Sequence, residues 1–142
     1  MSGESTKELV LAVLESNAQA SYGEIAEEAG VSKPTVRKYI EQLESDGVIV
    51  GYSADVNPKK LSNVSIALVG LEVESEQFVD VTAALCALDS VESLYSSSGD
   101  HMLMAEVRAA DGGEVSNIIR EEILTIPGVT AAHPCFLQER LK

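Results

Sequence analysis

The chain has 142 residues and carries 23 Asp and Glu against 10 Lys and Arg, a formal net charge of −13 at pH 7. This length accommodates one domain or two small ones. No apolar run approaches the ~20 residues that a membrane helix needs, and the polar start MSGESTKE lacks the apolar region of a signal peptide. We therefore expect a cytoplasmic protein.

The first part of the chain predicts three helices. Apolar residues at helical spacing between Leu9 and Leu14 indicate a first helix of about three turns. Ser21 and Glu24 form the capping box that begins a second helix. That helix ends at Gly30, because glycine readily adopts the positive φ with which chains leave helices.

A third helix follows after a tight turn. Ser32 can cap it and Pro34 suits its first turn, where the missing N–H does no harm. Its apolar stripe of Val36, Ile40 and Leu43 faces inward, which leaves a small basic island on its other faces. In a helix-turn-helix this second helix of the pair enters the major groove of DNA. The predicted DNA-contacting residues are Ser21, Tyr22, Ser32, Lys33, Thr35, Arg37 and Lys38.

The third helix closes at Asp46-Gly47, and VIVGYSADVN then alternates apolar and polar residues, which predicts a hairpin wing. Asn57-Pro58-Lys59-Lys60 follows with turn chemistry and two cations, as in a linker that touches phosphate. Residues 1–56 are thus predicted to be a winged helix-turn-helix and residues 57–63 a linker. The competing interpretation of the basic residues is a solvated surface that binds nothing.

The charge distribution argues against DNA at first sight. Residues 1–60 hold six Lys and Arg against ten Asp and Glu, a balance of −4, and residues 61–142 hold four against thirteen, a balance of −9. Phosphate neutralisation normally supplies much of the affinity for DNA. Either the chain does not bind DNA, or it works in salt that screens the global field and leaves only the local patch. The acidic, Lys-poor composition favours a halophile's cytoplasm, with an ordinary acidic regulator as the alternative.

Residues 64–142 contain an internal repeat at an offset of 38 residues, with VSIALVGLEV and MLMAEVRA as equivalent strands. Helices over 76–88 and 113–126 follow these strands, and further strands lie over 91–97 and 129–137. Two βαβ units in tandem predict an α+β, ferredoxin-like βαββαβ domain, an antiparallel sheet with two helices on one face. The strands are apolar on both faces, which predicts dimerisation through the helix-free face of the sheet.

Other chemistry finds little support in the sequence. A soft-metal site has its candidate ligands at Cys86, His101, Met102, Met104, His133 and Cys135. Without a CxxC motif or a second pair at ligand spacing, we expect no metal, and two buried thiols in a reducing compartment. The chain also lacks a phosphate-binding loop and a nucleophile elbow, so we expect neither an enzyme nor a cofactor.

The whole arrangement resembles the Lrp/AsnC family, the feast/famine regulators. The resemblance rests on the run AxxxGVSxxTVxxxIxxLExxGVIxGY, from Ala26 to Tyr52, and on a Ser98-Gly99-Asp100 turn between the second and third strands. It implies a transcription regulator that binds double-stranded DNA, dimerises through its second domain and builds tetramers or octamers. Together with the acidic composition, the resemblance predicts that the protein comes from a halophilic archaeon.

The resemblance also implies an amino acid or other small metabolite bound in a cleft between the second domains. Family members commonly carry Gly-Asp-aromatic-Asp at the turn, whereas this chain has Gly99, Asp100, His101 and Met102, which we take as the effector-binding residues. The alternative for this run is a plain hairpin turn. The alternative for the whole protein is a small-molecule or metal-sensing assembly protein whose helical half binds protein rather than DNA.

Overall fold

The computed structural model describes residues 3–142, with side chains from residue 5 onward. Met1 and Ser2, with which the predicted first domain begins, lie outside the described residues. The chain divides into two compact units, one ending at Asp55 and one beginning at Val56. No helix among the described residues is both long enough and apolar enough to cross a bilayer.

The first unit consists of three helices: α1 (Gly3–Ser16), α2 (Tyr22–Ala29) and α3 (Lys33–Ser45). All three contribute to one small apolar core, which buries the residues that the helical periodicity places inside. Its buried members are Val10, Ile25, Ala26, Ala29, Val36 and Ile40. The packing of α2 and α3 on this core decides which residues of α3 face outward.

The segment that follows α3 differs from its prediction. The helix ends as expected at Asp46, and Gly47 adopts a φ of 74°. Within the described residues, no strand pairing forms between residues 48 and 57, so the expected hairpin is absent. Val50 is 95% exposed and Tyr52 53% exposed. The alternating pattern marks an extended segment, but a strand also needs a neighbour with which to pair.

The second unit is built as βαββαβ, which confirms the predicted fold. Its elements are β1 (Ser65–Val73), α4 (Phe78–Cys86), β2 (Val91–Ser96), β3 (Leu103–Ala109), α5 (Gly112–Ile118) and β4 (Val129–Leu137). The strands pair antiparallel in the order β2-β3-β1-β4. The predicted helices are shorter than expected, because α4 is preceded by a 3₁₀ turn at Ser75–Gln77 and α5 continues as a π turn at Ile119–Ile123.

Residues 57–63, predicted as a linker, belong to the second unit. Pro58–Lys60 forms a single 3₁₀ turn. The backbone N–H of Arg140 donates to Asn57 Oδ1 at 3.1 Å, and Lys59 Nζ lies 3.5 Å from Glu139 Oε2. The segment is therefore tied to the end of the chain, an attachment that local composition could not reveal.

The register of the sheet sorts its residues onto two faces. Ala67, Val69 and Leu71 of β1 face the helices and are completely buried. The opposite, helix-free face receives the alternate residues, together with their cross-strand partners. Its members include Leu68, Gly70, Glu72, Tyr95, Met104, His133 and Cys135.

The two cysteines do not match their prediction. Cys86, at the end of α4, and Cys135, on β4, are both free and exposed, rather than buried thiols. Cys135 pairs with Leu68 across β1 and β4, so it lies on the helix-free face. Position along a strand indicates which residues share a face, but not whether that face is covered.

Candidate functional site

The turn between α2 and α3 is held by local hydrogen bonds. Ser21 Oγ accepts from the N–H of Glu24 at 3.1 Å, and Glu24 Oε2 accepts from the N–H of Ser21 at 3.1 Å. Gly30 follows α2 with a φ of 71°, in the left-handed region. Ser32 Oγ then accepts from the N–H of Thr35 at 3.3 Å and begins α3. The local sequence thus determines where each helix begins.

The basic residues of α3 lie on its outer surface. Lys33, Arg37 and Lys38 are exposed, and within the described residues none of them forms an ion pair. Thr35 is half-buried, and its Oγ1 lies 2.9 Å from Ser32 Oγ. Three unpaired cations on one short helix form a local positive surface on a chain of net charge −13.

The structure brings the start of α2 against the start of α3. The guanidinium carbon of Arg37 lies 5.8 Å from the centre of the Tyr22 ring, a cation–π distance. The aliphatic part of Lys33 crosses Gly23, where an added Cβ would lie 3.2 Å from Lys33 Cε. Tyr22, Lys33, Pro34 and Arg37 together line a concavity of about 290 Å³.

This contact orients the guanidinium. The Tyr22 ring limits the rotamers of Arg37 and keeps its charge near that of Lys33, so less conformational entropy is lost when a partner binds. An arginine prepared in this way can donate two parallel hydrogen bonds to a phosphate or a guanine edge.

In the second candidate site, the turn between β2 and β3, the side chains point in different directions. Gly99 has a φ of 121°, a conformation that other residues rarely adopt, and Asp100 is exposed at the tip. Ser97 closes the turn, its Oγ donating to the carbonyl of His101 at 2.7 Å. Met102 packs against the buried core, so its side chain serves packing rather than the open turn.

His101 turns back onto the helix-free face, where it meets two residues that the sequence did not connect with it. Its Nδ1 lies 2.6 Å from Glu72 Oε1, and His133 Nε2 lies 2.9 Å from Glu72 Oε2. The two imidazoles stack with ring centres 5.1 Å apart. The hydrogen bond from His101 holds the pKa of Glu72 below its ordinary value, against the opposing effect of burial.

The two carboxylate oxygens of Glu72 are not equivalent. The contact of Oε1 with His101 is a hydrogen bond. The contact of Oε2 with His133 is short, but among the described residues no donor points at Oε2 with hydrogen-bond geometry, although this oxygen is buried. The second contact is therefore a close approach of two ligand-type atoms and not a hydrogen bond.

Sequence reasoning missed Glu72 as a partner of His101. It named His133 and Cys135 as candidate ligands, and the register places both on one face of β4, but it could not foresee that Gly70 of β1 lies opposite His133. The one available signal was a glycine two residues before a glutamate in an otherwise apolar strand.

Comparison with known proteins supports both halves. A family model of winged helix-turn-helix DNA-binding domains matches residues 4–50, and a model of the Lrp/AsnC ligand binding domain matches residues 66–142. The chain is 72% identical over 142 residues to HTH-type transcriptional regulator LrpA1 of Halobacterium salinarum, covering 100% of both chains. It is 38% identical over 134 residues to HTH-type transcriptional regulator LrpA of Pyrococcus horikoshii, covering 94% of this chain and 95% of that one.

A solved structure agrees. The leucine response regulatory protein LrpA of Mycobacterium tuberculosis superposes with a TM-score of 0.77 at 26% identity, over 96% of this chain and 93% of that one. A haloarchaeal relative fits the halophilic source predicted from composition. The resemblance deduced from the sequence is thereby confirmed, and the chain belongs to the Lrp/AsnC family of transcription regulators, which are not enzymes.

Proposed function

We propose that α3 is the recognition helix of this regulator and enters the major groove of double-stranded DNA. Lys33, Thr35, Arg37 and Lys38 are its contact residues. The observation that carries this assignment is the stacking of Arg37 on Tyr22 at 5.8 Å, which joins the exposed basic face of α3 to the start of α2. Arg37 is positioned to read a guanine with two hydrogen bonds, and Lys38 to contact phosphate.

We also propose that the start of α2 contacts DNA phosphate, through hydroxyl groups rather than through backbone amides. At the start of a helix, phosphate is commonly bound by backbone amides as well as by side chains, here those of Ser21 and Tyr22. The N–H of Ser21, however, already donates to Glu24 Oε2, and that carboxylate repels an anion. We therefore assign the phosphate contacts to the hydroxyl groups of Ser21 and Tyr22. Ser32 is less available, because its Oγ caps α3 and also shares a hydrogen bond with Thr35 Oγ1 at 2.9 Å.

The test is a selection of bound sequences from a random duplex pool in molar KCl. Arg37→Ala should relax the preference at one base pair of each half-site, a loss of about 1–3 kcal/mol in discrimination. Lys38→Ala should weaken all sites about equally, because phosphate contacts carry no base identity. Arg120→Ala is the matched control, since it removes the same exposed side chain from the second unit.

A palindromic consensus that Arg37→Ala relaxes and Arg120→Ala preserves would support the assignment. If Arg37→Ala and Lys38→Ala both keep the wild-type consensus and affinity, α3 is not the reading element. If no sequence is enriched at any salt concentration, the helical unit binds a protein partner instead.

For the second unit we propose a homodimer formed through the helix-free face of the sheet, with tetramers or octamers built from it. The supporting observation is the apolar character of that face, with Tyr95 65% exposed and Leu68 and Met104 half-buried. Leu68→Glu should convert dimers into monomers in light scattering, because a buried carboxylate opposes association. Val79→Glu, on the 78% exposed Val79 of α4, should leave the mass unchanged.

Unchanged mass for Leu68→Glu would refute this interface.

In the working protein, residues 1–56 would bind DNA and residues 64–142 would assemble and bind effector, in the cytoplasm where the chromosome lies. An amino acid bound near Gly99, Asp100 and His101 is the proposed effector, consistent with the leucine response named for the mycobacterial relative. It would act by preferring one oligomeric arrangement, to the extent that its affinities for the arrangements differ.

A further inference from the structure

Three side chains of the second unit bring ligand-type atoms together on the helix-free face. Glu72 lies on β1, His133 lies on β4 beside Gly70, and His101 reaches the pair from the turn before β3. One ligand atom from each of the three residues lies within 4.8 Å of the other two. In the single chain the side chains of Glu72 and His101 are about one-third exposed and that of His133 is 58% exposed, and the cluster lies on the same face that we propose for dimerisation.

The donor set suits a transition-metal ion. Two imidazole nitrogens and one carboxylate are ligands that zinc and its neighbours accept, with an open position left for water or another ligand. Metal–ligand distances of roughly 2.0–2.2 Å place tetrahedral ligand atoms roughly 3.4 Å apart. The contacts of 2.6 and 2.9 Å on Glu72 would need to widen by less than about 1 Å to admit an ion, which small rotations of these partly exposed side chains permit.

The surroundings of one Glu72 oxygen also favour a bound ion. Oε2 is buried and lies 2.9 Å from His133 Nε2 without hydrogen-bond geometry. Buried polar atoms nearly always have a partner, and an ion between Oε2 and Nε2 would supply one to both atoms.

The backbone leaves space for the histidine ring. A Cβ placed at Gly70 would overlap the imidazole of His101, so the ring lies directly against β1 at a position without a side chain. Gly70 does not have a positive φ, so what matters at this position is the absence of a side chain and not the backbone conformation. Strand glycines commonly mark such close approaches.

We propose that Glu72, His101 and His133 bind a divalent transition-metal ion, with Zn²⁺ as the test ion. This reverses the expectation of no metal site that the sequence alone suggested. Ion binding is measured on the free protein, so its outcome is independent of whether α3 reads DNA.

The experiment uses untagged, full-length protein stripped with a chelator and returned to chelator-free KCl buffer. Calorimetric titration with ZnCl₂ should show saturable binding of one ion per chain. Absorption spectra with CoCl₂ should show the visible bands of a low-coordinate nitrogen and oxygen site, without a cobalt–thiolate charge-transfer band.

Four variants test the ligands and their support. Changing a residue that only supports a metal ligand costs about 10–100-fold in affinity. Removal of a ligand itself should weaken Zn²⁺ binding more than that, and this is expected for each of His133→Ala, His101→Ala and Glu72→Gln. Gly70→Ala should also weaken binding, although it removes no ligand, because it displaces the His101 ring. Glu106→Gln and Cys135→Ser, on the same face, are controls and should retain wild-type affinity.

Circular dichroism in metal-free buffer verifies that each variant folds, and exposed His133 keeps the test valid if Gly70→Ala does not fold. The proposal is overturned if the wild type shows no saturable binding, or if His133→Ala and Glu72→Gln bind like the wild type. It is also overturned if Cys135→Ser abolishes binding or a cobalt–thiolate band appears, since the site would then be built on sulfur.

Discussion

The helical unit and the sheet unit place their candidate sites in opposite ways. In the helical unit, the residues assigned to DNA lie between Ser21 and Lys38, on two helices whose starts are determined by local caps. In the sheet unit, the clustered Glu72, His101 and His133 come from β1, a turn and β4. The residues of the first site are close together in the sequence, whereas those of the second site are distant in sequence and are brought together by strand pairing.

The difference determines what changes each site tolerates. A local site depends on the backbone conformation of a few residues, so a change at a cap or turn should damage it directly. A cross-strand site depends on register, because a slip of one residue moves every side chain of the strand to the other face. Register in turn depends on the buried core of the sheet.

The largest effect is expected from the core that holds the register. Leu71 is completely buried on β1, one residue before Glu72. Leu71→Ala should lower the free energy of unfolding by about 2–5 kcal/mol, since it leaves a cavity that the sheet cannot close. Guanidinium unfolding followed by circular dichroism in molar KCl measures this loss.

Leu141→Ala serves as the control for Leu71→Ala. Leu141 is 89% exposed, so its replacement should change the free energy of unfolding by less than about 0.5 kcal/mol. Equal losses for both variants would mean that the buried core does not dominate the stability of this unit.

A smaller effect is expected from the turn of the helical unit. Gly30 has a φ of 71° and no neighbouring atom within 4 Å of an added Cβ, so only conformation opposes a side chain there. Gly30→Ala should destabilise the unit by about 1–2 kcal/mol, the cost of a left-handed residue with a Cβ. Thermal unfolding measures the change.

Gly51 provides the matched comparison, because an added Cβ there also meets no atom within 4 Å and its φ is not positive. Gly51→Ala should be neutral, or stabilising by about 0.4–1 kcal/mol through a less flexible unfolded chain. A loss at Gly51 equal to that at Gly30 would refute the conformational explanation and imply that both segments are packed.

Prediction from sequence succeeded where the signals were local or repeated. The capping box of Ser21 and Glu24, the left-handed Gly30 and the inward stripe of α3 occur as expected. The internal repeat correctly predicted the βαββαβ order. Prediction failed for the hairpin after α3 and for the burial of Cys86 and Cys135, since both depend on what covers a segment.

By itself, the sequence determined the helix boundaries around the turn, the basic face of α3 and the fold of the second unit. Hydrophobic periodicity and helix caps depend on residues only a few positions apart, so both can be read directly from the sequence. Only the tertiary structure decided that Arg37 stacks on Tyr22 and that Glu72 meets two histidines beside Gly70. Cross-strand register and side-chain packing are set by the whole core together, and no local pattern specifies which distant residues will become neighbours.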